Sequence, residues 1–314
     1  MKRLAALAPT PNPSNESRAS FERLREGNNE RAHQHSPITR HEKAHGTLAS
    51  LARCLAEMTA DPAIFDPPPD SVAFYTESLQ HLVESGIPFM LSGTYALGCH
   101  TGIVRPTKDL DVFCKAGDAP RILAYFKHLG HEVEFEDERW IGKVWKDKKF
   151  FDVIYNISSA SVPVTEEWFR EEDHAEVYGI NVRITPPTEF ILSKIFIQDR
   201  YRYDGADVVH VILRQHDRIN WQWLLDTMEL HWELLLIHLL NFRFIYPTER
   251  HCIPLWLFEE LLGRLQTRSE LPVPNIRVCR GRLLSPRDYL IDITEWGFAD
   301  VVGKGLEESH DRNK

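Results

Sequence analysis

Apolar positions recur at helical spacing through "TLASLARCLAEM" (47–58). They recur again over 71–85, where Ser71 is a candidate N-cap before "VAFYTESLQHLVES" and Gly86 closes the run. The period then shortens. "IPFML" predicts a short strand, "SGTYALGCHTG" a turn into a helix, and "DLDVFC" a second strand. "DAPRILAYFKHLG" predicts a helix capped by Asp118 and ended by Gly130. "HEVEFE" and "KFFDVIYNI" predict further strands, with "RWIGKVWKDKK" between them in a hairpin. Helices and strands thus alternate over residues 71–200, which predicts an α/β (α+β) core with a central sheet. From 216 onward the pattern is mainly helical, through "WQWLLDTMELHWELLLIHLLNF" (221–242) and "IPLWLFEELLGRLQ" to a terminal "SPRDYLIDITEWGF".

These patterns divide the chain into three parts. Residues 1–46 form a mobile polar segment with little apolar periodicity. Residues 47–215 form the α/β core with its leading helices, and residues 216–314 a mainly helical C-terminal domain. The polar segment contains "AHQHSPITRHEKAH", whose His33, His35, His41 and His45 could hold a transition metal only if something fixed their geometry. It reads as a solvated tail.

The strand "DLDVFC" poses a chemical problem. Side chains alternate along a strand, so Leu110 and Val112 face a core while Asp109 and Asp111 stand together on the other surface. Adjacent carboxylates raise one another's pKa unless a cation lies between them, and hard divalent ions take carboxylate oxygens. A solvent-facing edge strand with two unrelated acids explains the pair equally well. Composition narrows the field. Across 314 residues the formal net charge is −9, with 43% hydrophobic and 26% charged residues, which argues against wholesale electrostatic binding of nucleic acid. The five cysteines form no CxxC pair, as expected in a reducing cytoplasm rather than in a disulfide framework or thiolate zinc site. The most apolar stretch carries Asp226, Glu229 and Glu233, so it predicts a buried helix and no membrane partner.

Two more features change the reading of the acid pair. "LSGTYALG" (91–98) is a small turn into a helix, where Gly93 admits close approach and Ser92, Thr94 and the helix N–H groups offer donors to an anion. "KFFDVIYN" places a third acid, Asp152, in a strand. A phosphate cradle, an Asp-x-Asp strand and a later lone Asp, in that order, resemble the nucleotidyltransferase superfamily whose minimal core is like that of DNA polymerase beta. The likeness is to bacterial nucleotidyltransferase-family proteins and, more loosely, to toxins of abortive-infection systems. It extends to "TPPTEFILSKIFIQDRYRYDGADVVHVI" (185–212) and "LLSPRDYLIDITEWGF", so it covers roughly residues 85–300.

The resemblance implies a mixed sheet flanked by helices and a set of roles. Asp109, Asp111 and Asp152 would ligate magnesium, two ions being the expectation, and would be catalytic. Ser92, Gly93, Thr94, Arg105, Lys108 and Lys194 would bind the nucleotide and its phosphates. Separately, Asp204, Asp207 and His210 fall three apart on one helical face and are expected, with Tyr203, to face the site, structural ion pairing and domain contacts being the alternatives. The implied partners are a nucleoside triphosphate and an acceptor that is RNA, protein or a small molecule, in the cytoplasm. The Ser92-Gly93 turn departs from the Gly-Gly or Gly-Ser usual in that superfamily, and its spacing to Asp109 is longer. The alternative expectation is a nucleotide-binding regulatory or toxin–antitoxin module without catalysis.

Overall fold

The computed structural model describes residues 71–157 and 162–302, all within one compact unit. The helix expected over 47–58 and the histidine-bearing polar segment lie outside the described residues. Helix α1 (Ser71–Glu84) buries Phe74, Tyr75, Leu79 and Leu82 along one stripe, and the chain turns at Gly86 with φ +63°. Then follow β1 (Met90–Leu91), α2 (Gly93–Thr101), β2 (Asp111–Phe113), α3 (Ala119–His128), β3 (Glu132–Asp137), β4 (Ile141–Lys146) and β5 (Lys149–Ile154). The five strands form one sheet in the order β1-β2-β5-β4-β3. Strands β2 and β5 are parallel and the other pairs antiparallel, so the sheet is mixed, as expected.

Two details differ from the pattern-based expectation. Strand β2 begins at Asp111, which leaves Asp109 in the approach to the strand rather than inside it. Asp118 sits at the N-cap of α3 but makes no capping bond, because its carboxylate is taken by Arg121 at 2.6 Å and Lys115 at 3.6 Å. The expected hairpin is present. Strands β4 and β5 join through a two-residue turn at Asp147 and Lys148, with Asp147 in the left-handed region at φ +56°.

The two faces of the sheet have different jobs. Phe151 packs against Phe74 of α1 and Phe126 of α3, with ring centroids 6.2 and 5.0 Å apart. Burying each such side chain is worth about 1.5–3 kcal/mol, so this face is fixed by packing. Asp152, the next residue, must then point to the opposite face. The same alternation along β2 buries Leu110 and Val112 completely and turns Asp109, Asp111 and Phe113 the other way.

Beyond the sheet the chain forms β6 (Asn156–Ile157), β7 (Val162–Pro163), β8 (His174–Val177) and β9 (Ile180–Arg183), then α4 (Pro187–Ile195) and α5 (Gly205–Gln215). The stretch 221–242, expected as one helix, divides into α6 (Trp221–Thr227), a 3-10 turn at Glu229–His231 and α7 (Trp232–Ile245). Helix α6 packs on α4 whereas α7 packs chiefly on α5, and one straight axis does not serve both. His238 joins α7 to α4 through the Ile195 carbonyl at 2.9 Å. Helix α8 (Leu255–Glu270), β10 (Val278–Cys279), α9 (Leu290–Thr294) and β11 (Ala299–Asp300) complete the described chain, with β10 and β11 pairing in parallel. Among the described residues no helix is long and apolar enough to cross a membrane, and no disulfide joins the cysteines.

Candidate active site

Strand register brings the acids together. Asp111 on β2 lies directly opposite Asp152 on β5, and Asp152 in turn lies opposite Lys143 on β4. Asp109 stands two residues before Asp111 on the same side. One carboxylate oxygen from each of Asp109, Asp111 and Asp152 falls within 4.8 Å of the others. Asp109 is oriented locally: buried Thr107 donates its hydroxyl to the Asp109 carbonyl at 3.0 Å and reaches its Oδ1 at 3.2 Å. The Tyr75 hydroxyl anchors the same approach by donating to the Lys108 carbonyl at 2.8 Å.

The electrostatics of the trio follow from this crowding. Burial pushes the Asp152 carboxyl up to about 7, although Lys143 Nζ donates to its Oδ1 at 2.6 Å and pulls the other way. Burial also raises Asp111, and the neighbouring Asp109 charge adds to it. Three carboxylates, with Lys143 bonded to one and Lys194 and Arg202 acting on Asp111 from further off, form a cluster of hard oxygens in which burial still disfavours charge. That is the donor chemistry of a magnesium-type site.

Next to the acids, β1 runs into α2 through Ser92 and Gly93. The Ser92 amide donates to the Asp111 carbonyl at 2.9 Å, which fixes the turn against β2. Gly93 has φ +58°, and a Cβ there would sit 3.1 Å from Asp111 Cγ and closer still to its Oδ2. Glycine is therefore required both for the backbone conformation and for the closeness of the turn to the acid. The Ser92 hydroxyl is fully buried and has no hydrogen-bond partner among the described residues. An orphaned hydroxyl at the start of a helix, on a residue that borders the acids' cavity, suits an anionic ligand oxygen.

These groups line a cavity of about 330 Å³. Its walls include Trp140, Phe113 and Ile154 from the sheet side, Ser193, Lys194 and Phe196 from the end of α4, and Asp199 and Arg202 from the loop that follows. A C-terminal stretch supplies Arg282, Leu283, Leu284 and Pro286. Arg282 is buried and ion-paired to Asp300, and its Nε lacks a partner among the described residues. The stretch is held near α4 by Asp288, which accepts from the Arg200 amide at 3.1 Å.

Of the residues singled out from sequence, Asp109, Asp111, Asp152, Ser92, Gly93 and Lys194 line this cavity; Thr94, Arg105, Lys108, Tyr203, Asp204, Asp207 and His210 do not. Buried Lys194 donates to Asp204 at 2.8 Å and lies 3.9 Å from Asp207. Asp204 also takes a two-pronged contact from Arg202 at 3.1 and 2.9 Å. Burial opposes ionisation of Asp204, but Arg202 and Lys194 outweigh it and hold its pKa below the usual range. Arg105 forks onto Asp207 at 2.9 and 2.7 Å, which joins the approach to β2 with α5. Tyr203 stacks on His238 at 6.2 Å and accepts from Asn241 at 2.8 Å.

The sequence pattern gives no site role to Thr107, Trp140 or Arg282, and the basic "KVWKDKK" (143–149) that carries Lys143 reads as a solvated turn or as a guide for a polyanionic acceptor beside Asp152. For Lys143 a signal was present. A two-residue turn at 147–148 pairs 146 with 149, and counting outward sets Lys143 opposite Asp152. Nothing in the local pattern points to Arg282, which reaches the cavity through long-range packing.

No protein-family model matches the chain, and no curated protein matches it by sequence. Solved structures do resemble it. The antibiotic-resistance factor ANT(2'')-Ia aligns at 14% identity over 58% of this chain and 96% of its own, with a TM-score of 0.36. Nucleotidyltransferases are among its structural neighbours. The lincosamide antibiotic adenylyltransferase LnuA aligns at 13% identity over 45% of this chain and 94% of its own, with a TM-score of 0.32. The Megavirus polyadenylate synthase aligns at 10% identity over 59% and 40% of the two chains, also at 0.32.

Proposed function

We propose that this cavity transfers a nucleoside monophosphate from a nucleoside triphosphate to an acceptor hydroxyl and releases pyrophosphate. The observation that supports it is the convergence of three carboxylates beside a glycine turn with an orphaned hydroxyl. The donor set fits magnesium, since Asp109, Asp111 and Asp152 offer only hard oxygen ligands within a few ångströms of one another. When bound, the metal supplies Lewis-acid stabilisation of charge on the triphosphate and on the attacking and leaving oxygens.

The chain's own residues do the rest. Ser92 Oγ and the first N–H groups of α2 receive phosphate oxygens, and Gly93 keeps that turn close enough to Asp111 for both to act on one triphosphate. Trp140, Phe113 and Ile154 offer apolar surface for a base. The acceptor oxygen attacks the α-phosphorus, the bond to the β-phosphate oxygen breaks as pyrophosphate leaves, and the hydroxyl proton passes to solvent.

The test is a transfer assay with each α-labelled nucleoside triphosphate and magnesium, offering total RNA, the protein itself and a metabolite extract as acceptors. Label should move into one fraction with the wild type and into none with Asp109→Asn or Asp111→Asn. Near-normal transfer by both variants would refute the assignment. Magnesium-dependent nucleotide binding without pyrophosphate release would favour the non-catalytic module.

A further inference from the structure

A second group of metal-ligand atoms lies outside the cavity. His216 follows the last turn of α5, while His251 and Cys252 belong to the 3-10 turn Arg250–Cys252 that precedes α8. One ligand atom from each falls within 4.8 Å of the other two. Cys252 is buried, and His216 Nδ1 is buried without a hydrogen-bond partner among the described residues.

The remaining ring nitrogens are already accounted for. His216 Nε2 lies 3.3 Å from Asp217 Oδ1, and His251 Nδ1 lies 3.9 Å from Glu249 Oε2. His251 Nε2 then faces the Cys252 sulfur at 3.9 Å. We infer that His216 Nδ1, His251 Nε2 and Cys252 Sγ form a binding site for a zinc-class divalent ion, with water in the fourth position.

The dimensions fit. Zinc bonds of about 2.0 Å to nitrogen and 2.3 Å to sulfur set tetrahedral nitrogen–sulfur separations of about 3.5 Å, so the 3.9 Å between His251 Nε2 and Cys252 Sγ closes with a shift of a few tenths of an ångström, and His216 joins them from within 4.8 Å. Each imidazole would bind metal through one nitrogen while a carboxylate faces the other, the usual way such ligands are oriented. Burial, with the Glu249 and Asp217 charges, raises the Cys252 thiol in the absence of metal. A dication reverses that balance, and the thiol proton leaves to solvent on binding. The consequence is structural: the ion would tie the end of α5 to the start of α8 across the whole α6–α7 excursion. A plain edge-on contact of the two rings, with centroids 5.6 Å apart, is the competing explanation.

The experiment uses the full chain, stripped of metal and titrated with cobalt(II), followed by competition with zinc. The expected result is a thiolate-to-cobalt charge-transfer absorption that saturates at a single equivalent. It disappears in Cys252→Ser and weakens at least about tenfold in apparent affinity in His216→Gln, while Glu249→Gln binds roughly ten- to hundredfold more weakly. Ions bound by His33, His35, His41 and His45 give no thiolate absorption, so the band reports this cluster. Far-UV circular dichroism of each variant checks that it is folded. Absence of the band in the wild type overturns the inference. So does its persistence in folded Cys252→Ser, or unchanged affinity in His216→Gln, which decides the matter if the cysteine variant does not fold.

Discussion

Replacing Gly93 with alanine separates two demands that the structure places on one residue. The first is conformational: at φ +58° a side chain costs about 1–2 kcal/mol. The second is steric. The new methyl would meet the Asp111 carboxylate inside any normal contact distance, so Asp111 or the turn must move by on the order of 1 Å. A displacement of that size at a reacting group costs about a hundredfold in rate. Gly130 provides the control, because its φ is +89° yet a Cβ there meets nothing within 4 Å. Gly130→Ala should therefore lower stability by a similar 1–2 kcal/mol, roughly, and leave transfer intact. Gly93→Ala should lose about a hundredfold or more in kcat/KM and weaken magnesium binding. Urea denaturation, transfer kinetics and magnesium titration on both variants measure the difference. Equal transfer by the two would refute the coupling between the turn and the acid.

Asp111→Asn should abolish transfer, by about a thousandfold or more, while thermal stability holds or rises, since burial and Asp109 both disfavour its charge; differential scanning calorimetry beside the transfer assay checks this. Asp152 has a folded-state pKa raised to about 7 from an ordinary value of 3.8, so between those values the native state binds more protons than the unfolded one. Its contribution to stability must therefore fall as pH rises from 4 toward 7, roughly. The wild-type minus Asp152→Asn difference in urea midpoint across that range isolates this group from the histidines, and added magnesium should flatten it. Among the described residues, Arg105→Ala leaves the buried Asp207 carboxylate with only the 3.9 Å lysine contact. We expect it to cost about 1–2 kcal/mol in urea denaturation with kcat preserved, discounted because the arginine is itself partly exposed. A raised KM without loss of stability would instead mark Arg105 as a nucleotide contact.

Much of the sheet and its acids was legible in the chain. Alternation alone placed Asp109 and Asp111 on one side with Leu110 and Val112 on the other, because period two leaves no choice of face. The hairpin was legible for the same reason. The boundaries at Asp111 and Met228 were not, since both depend on what a neighbouring element accepts rather than on local preference. Capping by Asp118 failed because two basic side chains, Lys115 and Arg121, offered its carboxylate stronger partners than a backbone amide. Arg282 stayed invisible because it meets the cavity from far along the chain. His216, His251 and Cys252 were hidden for the same reason, and the scattered cysteines argued against a thiolate zinc site.

The far wall of the cavity is made by residues 282–286, more than a hundred positions after the acids and the glycine turn. A chain emerging from the ribosome would therefore assemble its charged floor first and stand for a time with the acids open to the surrounding solution. The far wall of the cavity forms only when Asp288 reaches Arg200 and Arg282 meets Asp300. Order of synthesis thus delays the completed cavity until the late segment is in place.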